Sequence, residues 1–253
     1  MKRMKKICGV LLATVLLVTM FSSTAFAAIS VPKSQTVYLH SKSGVSYTGI
    51  VGIAVDGMTK KQKITKSSVK SSNTSVIAPT SMYRSASDYS YQYFDNSGND
   101  SSRSSAYSYI DLVAKKPGTA TVSFKIGSKT YKTKVTVKNY VNPAATIKIP
   151  GVNSGKNIAS KFKSQNYASG KQAKTVKSGK ISVKAASGWK LTNISVYDNR
   201  TNQTISYWSS KGVSSVSLPV AFALKAKGRY DYTFTFKNTK NKAELQLSYT
   251  TGN

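Results

Sequence analysis

Apolar residues recur at every second position over long stretches of the chain. The clearest case runs from Thr119 to Val137. Val122, Phe124 and Ile126 alternate there with Ser123 and Lys125, Gly127-Ser128 interrupts the run, and Tyr131, Thr133, Val135 and Val137 then alternate with Lys132, Lys134, Thr136 and Lys138. A period of two around a Gly turn, filled with β-branched and aromatic side chains, predicts a half-buried hairpin. Its solvent positions, among them Lys132, Lys134 and Lys138, also guard the strands against edge-to-edge pairing. Upstream, strands are predicted over 34–39 and 45–55, the second loosened by Gly49 and Gly52. Between Ile64 and Ala78 the apolar Ile64, Val69, Val76 and Ile77 are split by the polar run Lys70-Ser71-Ser72-Asn73-Thr74, and Pro117-Gly118 predicts a turn before the hairpin.

The second half repeats this grammar. Strands are predicted over 146–149, 180–185, 190–198, 204–208, 214–220, 229–237 and 243–249, separated by turns such as Ser187-Gly188 and Asn238-Thr239-Lys240-Asn241. In Tyr230-Asp231-Tyr232-Thr233-Phe234-Thr235-Phe236 the four aromatic residues fall on one face. Around 158–167 the Ile158/Phe162 spacing predicts one helical turn, and the Ser/Gly/Lys-rich stretch 164–180 predicts a loop. Asn139 to Pro143 reads as a junction, because a strand ends there and Asn142-Pro143 favours a turn. Many short strands at this spacing predict an all-β chain of two tandem β-sandwiches, over 28–140 and 141–253.

The first 27 residues break the pattern. A basic head (Lys2, Arg3, Lys5, Lys6) precedes an apolar run from Ile7 to Met20, and Ala25-Phe26-Ala27 closes the segment. These three parts predict a secretory signal peptide over 1–27, with an apolar run shorter than the ~20 residues of a spanning helix. Cys8, the single cysteine, lies ahead of the apolar run, so the processed chain is expected to hold no thiol, disulfide or cysteine metal ligand. That fits an exported bacterial protein. Cleavage removes four of the 38 basic residues and none of the eight acids, leaving 34 against 8, a net charge of +26. A charge of that size favours anionic partners through field strength: wall polymers, phospholipid surfaces or nucleic acid. Export disfavours a specific nucleic-acid role, and the same lysines also fit simple decoration of solvent-facing strand positions.

Two segments resemble a known family. Val69-Lys70-Ser71-Ser72-Asn73-Thr74-Ser75-Val76, followed by Ala114-Lys115-Lys116-Pro117-Gly118-Thr119-Ala120-Thr121-Val122, is similar to the bacterial immunoglobulin-like group 2 family, and 129–137 matches that family's last strand. The resemblance covers about residues 31–140. It departs from the family at Val69, where a Trp often stands, and at Thr80 to Tyr109, which replaces a short turn between middle strands. The resemblance implies an Ig-like sandwich from an extracellular or cell-surface protein, often a stalk or adhesive module, with no shared catalytic residues. A fold analogy of this kind leaves the ligand open.

Groups for catalysis are few. The lone His40 has no neighbouring nucleophile signature, and no G-x-S-x-G elbow occurs. Asp88, Asp95, Asp100 and Asp111 are close in sequence, but Asp in Ser/Asn-rich stretches usually forms turns. No enzyme and no cofactor are expected. Asp95 and Asp100 in D-N-S-G-N-D make a weak calcium pair without EF-hand order. The insertion is the most distinctive feature. Tyr89, Tyr91 and Tyr93 alternate before that turn, and Tyr107 and Tyr109 alternate after it. If both arms are strands, the five tyrosines form either a rigid aromatic binding face for polysaccharide or protein or a hairpin packed on its own domain.

The expected protein is therefore secreted, extracellular or non-covalently wall-associated, since no L-P-x-T-G signal or apolar C-terminal tail appears. It is expected to bind an anionic wall polymer, polysaccharide or surface protein. A purely structural spacer or accessory domain is the alternative, and a hydrolase a distant third.

Overall fold

The computed structural model describes residues 28–39, 50–58, 62–79 and 106–252. The predicted signal peptide, the 45–49 portion of the second predicted strand, His40, and the insertion through residue 105 lie outside the described residues.

The chain is all-β. In its first half, β1 (Ser34–Leu39), β3 (Ile64–Ser71), β6 (Gly118–Ile126) and β7 (Lys129–Asn139) form a sheet in the order β1-β7-β6-β3. A second sheet, β2-β5-β4, comprises β2 (Ile50–Met58), β4 (Ile77–Pro79) and β5 (Ala106–Ala114). The predicted hairpin is β6–β7, with Phe124 opposite Tyr131 and Ala120 opposite Val135. Both sheets contribute to one buried cluster that includes Ile53, Ile77, Leu112, Val122, Phe124 and Val135. Alternation produces this cluster directly, since every second residue of β6 and β7 points to the same side. The polar run after Lys70 is a turn. Asn73 Oδ1 accepts hydrogen bonds from the Ser75 amide at 3.1 Å and its hydroxyl at 2.7 Å, which folds the chain from β3 into β4.

The second half follows β7 after a short link. A three-stranded sheet has the order β13-β10-β8, from β8 (Ala144–Lys148), β10 (Lys180–Ala185) and β13 (Ser215–Pro219). A five-stranded sheet has the order β12-β11-β14-β15-β9, from β9 (Tyr167–Gly170), β11 (Trp189–Asp198), β12 (Gln203–Val213), β14 (Tyr230–Asn238) and β15 (Glu244–Thr251). Tyr230, Tyr232, Phe234 and Phe236 are fully buried on one side of β14, as their spacing predicts. They meet Ile147, Ile181 and Val183 from the three-stranded sheet in a second core.

Two elements differ from expectation. The predicted loop 164–180 contains β9, whose four residues lack an apolar alternation. They become a strand because Ser248 to Thr251 of β15 offer an open edge with which Tyr167 to Gly170 pair in parallel. The 204–208 strand extends to Val213, because the register of β11 shifts between Leu191 and Asn193 and lets Val213 pair with Leu191. The predicted helical turn is a 3-10 turn over Ala159–Phe162 that buries Phe162.

Both halves use one device: the first strand of a sheet runs parallel to its last, β1 along β7 and β9 along β15. The halves also touch. The Tyr38 ring lies 5.4 Å from that of Trp189, and Asn241 Nδ2 donates to Tyr38 Oη at 3.1 Å.

Candidate functional site

The core side of the five-stranded sheet is apolar, so its alternate residues form an outer face whose composition is free to serve another purpose. Cross-strand pairing arranges that face in rows. One row reads Trp208, Asn193, Thr235, Gln246. The next reads Ser206, Ser195, Thr233, Ser248, Tyr167, and the third Thr204, Tyr197, Asp231, Thr250, Ser169. None of the three rows contains a lysine. Lysine returns beyond Trp208, where Lys211 is exposed on β12, Lys190 pairs with Lys237 and Lys237 with Glu244.

Aromatic rings stand at the margins of this hydroxyl and amide surface. Trp208 on the edge strand β12 is 71% exposed and Tyr197 is 36% exposed, whereas Trp189, the other tryptophan, is buried at 6%. Hydrogen bonds fix the polar ends of the two tyrosines. Tyr197 Oη donates to Asn202 Oδ1 at 2.6 Å, and Tyr167 Oη and Thr250 Oγ1 are 2.7 Å apart. Asn193 Nδ2 donates to the Tyr207 carbonyl, and Asn199 Nδ2 donates to Asp231 Oδ2 at 2.8 Å. Ordering these groups in advance lowers the entropy lost when a ligand settles on them.

The loop that carries Asn202 hangs on Asp198, whose side chain is 2% exposed. Its Oδ1 accepts from the Arg200 amide at 2.9 Å, and Arg200 Nη2 lies 3.4 Å from Oδ2. Burial pushes this carboxyl up, but the Arg200 amide, the Thr201 groups and the Arg200 charge outweigh it and hold it below the usual range. A carboxylate depressed in the folded state stabilises above its unfolded value of about 3.9 and loses that contribution as pH falls through the folded one. Melting of the second half is therefore expected to fall in acid below pH ~4, and the Asp198→Asn chain to be less stable at neutral pH with a flatter acid limb. Equal acid slopes in the two proteins, followed by circular dichroism, contradict this.

Two of the other three sheets display lysines, whereas the strands of the β2-β5-β4 sheet carry no Lys or Arg. On the β1-β7-β6-β3 sheet, Lys70, Lys125, Lys132, Lys134 and Lys138 are exposed, and on the β13-β10-β8 sheet so are Lys148, Lys180 and Lys184. No Asp or Glu occurs within β3, β6, β7, β8, β10 or β13. A polar groove of about 460 Å³ lies between the halves, bordered by Ser34–Tyr38, Asn166, Asn241 and Glu244. Its open, polar walls differ from the mostly apolar enclosure typical of small-molecule sites.

Of the sequence-predicted site residues, Tyr89, Tyr91, Tyr93, Asp88, Asp95 and Asp100 lie outside the described residues, as does His40. Tyr107 and Tyr109 belong to β5, where Tyr109 pairs with Ala54 of β2 and Asp111 pairs with Gly52. Among the described residues, no cluster of three or more His, Cys, Asp or Glu is placed to hold a metal ion. No described helix is long and apolar enough to cross a membrane. Sequence reasoning missed Trp208 and Tyr197. The signal was available: in Thr204-Ile205-Ser206-Tyr207-Trp208, Trp208 shares the parity of Thr204 and Ser206, and a large aromatic residue on a polar parity marks an outward ring.

No family model matches the chain, and no curated relative matches it. Over 89% of its length the chain is similar to domains 4–9 of the surface layer protein SbsC, at 10% identity and a TM-score of 0.32, covering 31% of that chain. It is also similar over 88% of its length to domains 5–6 of the S-layer protein SbsC, at 11% identity and a TM-score of 0.30, covering 96% of that chain. The titin I9–I11 tandem is similar over 88% of this chain and 65% of its own, at 12% identity and a TM-score of 0.25. The likeness is one of all-β architecture and carries nothing about ligand or activity.

Proposed function

We propose that the chain is an exported, non-catalytic module of the cell envelope, held there by its lysine-bearing sheet faces on phosphate- or carboxylate-rich polymers. The observation that supports this reading most is the charge layout. Eight acids cannot neutralise 38 bases, and part of the surplus stands exposed on strands of the β1-β7-β6-β3 and β13-β10-β8 sheets, which carry no Asp or Glu. Strand lysines two residues apart, such as Lys132 and Lys134, project to the same side about 6.8 Å from each other. A polymer with a charge on each repeat can engage several at once, with each basic group near an anionic surface contributing about 1 kcal/mol. In this reading the first sandwich is of the bacterial Ig-like group 2 type, and the Tyr-rich insertion adds contact area. A spacer role is the second reading, and the Tyr38–Trp189 contact favours it by restraining one half against the other.

The test is retention of the processed chain on polyphosphate beads as salt is raised. Binding is expected at low salt and largely lost by 0.5 M NaCl, where the Debye length has shrunk to about 4 Å. A Lys132→Gln, Lys134→Gln, Lys138→Gln variant is expected to bind on the order of 100-fold more weakly at low salt. A variant that binds like the parent protein removes these faces from the proposal, and retention indifferent to salt removes the electrostatic mechanism.

A further inference from the structure

We propose that the outer face of the five-stranded sheet is a binding site for a neutral polysaccharide. In a chain of net charge +30, three consecutive rows across this sheet hold no lysine or arginine, and their one carboxylate, Asp231, is already engaged by Asn199. This gap contrasts with the lysine-bearing faces of the β1-β7-β6-β3 and β13-β10-β8 sheets. A polyanion gains nothing here, because the lysines that attract it are elsewhere. What the rows offer is a dense field of hydroxyls and amides from Ser, Thr, Asn and Gln. Each hydroxyl both donates and accepts, which matches the alternating donor and acceptor character of sugar hydroxyls.

The aromatic residues complete the match. The faces of sugar rings are lined with C–H groups and stack on flat aromatic surfaces, and a Trp supplies the largest such platform. Trp208 is the most exposed large apolar side chain among the described residues and sits at one corner of the field. Tyr197 lies one strand over and two rows on, roughly 14 Å away at ~3.4 Å per residue along the strand. From β12 the field extends roughly 19 Å across the sheet to Tyr167 on β9, five strands at ~4.8 Å spacing, room for several sugar units in a line. Trp208 is not part of the second core or of the hydrophobics packed against it, whereas Trp189, Tyr230 and Tyr232 are buried in that core. A second copy of this chain, pairing along the free edge of β12, is the competing occupant. It would use the edge but leave the hydroxyl rows of β14, β15 and β9 without a role.

The test uses the full processed chain in 0.5 M NaCl, which silences the lysine faces and so separates this proposal from the preceding one. Depletion onto insoluble cellulose, chitin and starch is measured, with cello-, chito- and malto-hexaose titrated against tryptophan fluorescence. Binding to at least one of these neutral glycans is expected, with a blue shift and reduced acrylamide quenching, since the accessible indole is that of Trp208. Trp208→Ala is expected to weaken binding at least about tenfold, as for a central aromatic contact, and Trp208→Phe to keep most of it. Tyr197→Ala is expected to weaken it severalfold, while the triple lysine variant binds unchanged. Because the ring is exposed, Trp208→Ala should melt with the parent protein, so loss of binding reports the site. No binding to any of the three glycan types overturns the proposal, as does a Trp208→Ala chain that binds like its parent. A fluorescence change that follows protein concentration alone, and vanishes in Trp208→Ala, assigns the face to self-association instead.

Discussion

Replacing Phe234 by alanine is expected to cost about 3–5 kcal/mol, the range for truncating a fully buried aromatic side chain. Phe234 is at the middle of the β14 aromatic row and has no exposed surface. Ile194 of β11 and Leu247 of β15 flank it across the sheet, and Tyr232 precedes it on the same face. The surrounding rings are rigid and already in contact, with Tyr232 to Tyr249 at 6.3 Å and Tyr230 to Tyr232 at 6.2 Å, so the cavity cannot collapse easily. With a urea slope of about 2 kcal/mol/M for a domain of this size, the midpoint should move by roughly 2 M. The buried residues form two separate clusters, so the displaced transition should be that of the second half, with the first half's retained. Near-UV circular dichroism of the aromatic-rich second core follows the first, and Phe124→Ala supplies the reciprocal case. Equal displacement of both transitions by either variant contradicts the independence of the cores.

That expectation also shows what the sequence could and could not disclose. Phe234 is legible as core because β14 alternates without interruption, and the same rule places Phe124, Val135 and Leu247 inward. Strand faces follow from parity alone. Strand order does not: the parallel pairing of Tyr167–Gly170 with β15 is a long-range contact between segments with no local signature, which is why the segment reads as loop. The bulge at Leu191/Asn193 is equally silent, and it lengthens β12. The neutral face shows the same division. Each of its strands reads locally as ordinary outward Ser, Thr and Asn, and the absence of lysine emerges only when β12, β11, β14, β15 and β9 are placed side by side. The aromatic face expected from the insertion rested on alternating tyrosines in two arms, of which Tyr107 and Tyr109 belong to β5, while Tyr89, Tyr91 and Tyr93 lie outside the described residues.

Gly118→Ala is expected to destabilise the first half by about 3 kcal/mol, although it adds one methyl group. Gly118 opens β6 at φ +151°, where L side chains are strained by roughly 1–3 kcal/mol. A Cβ there would stand 2.7 Å from Cγ2 of Val76 and 3.4 Å from its Cγ1, an overpacking that costs about 1–3 kcal/mol more. Val76 has little freedom to retreat. It is buried, its amide donates to the Asn73 carbonyl at 3.1 Å, and its own carbonyl accepts from Lys115 at 2.8 Å. The turn after β3 and the start of β6 are thus pressed together, and glycine is the residue that lets them touch. This gives the Pro117-Gly118-Thr119 segment a steric meaning apart from any resemblance. Val76→Ala in the Gly118→Ala background separates the two costs: it relieves the clash but not the backbone strain. The double variant is therefore expected to be more stable than the sum of the single losses by over about 1 kcal/mol, a coupling measured by urea unfolding of all four proteins. Strict additivity would mean that the methyl group finds room without moving Val76, and the close approach of the two segments would then have no energetic consequence.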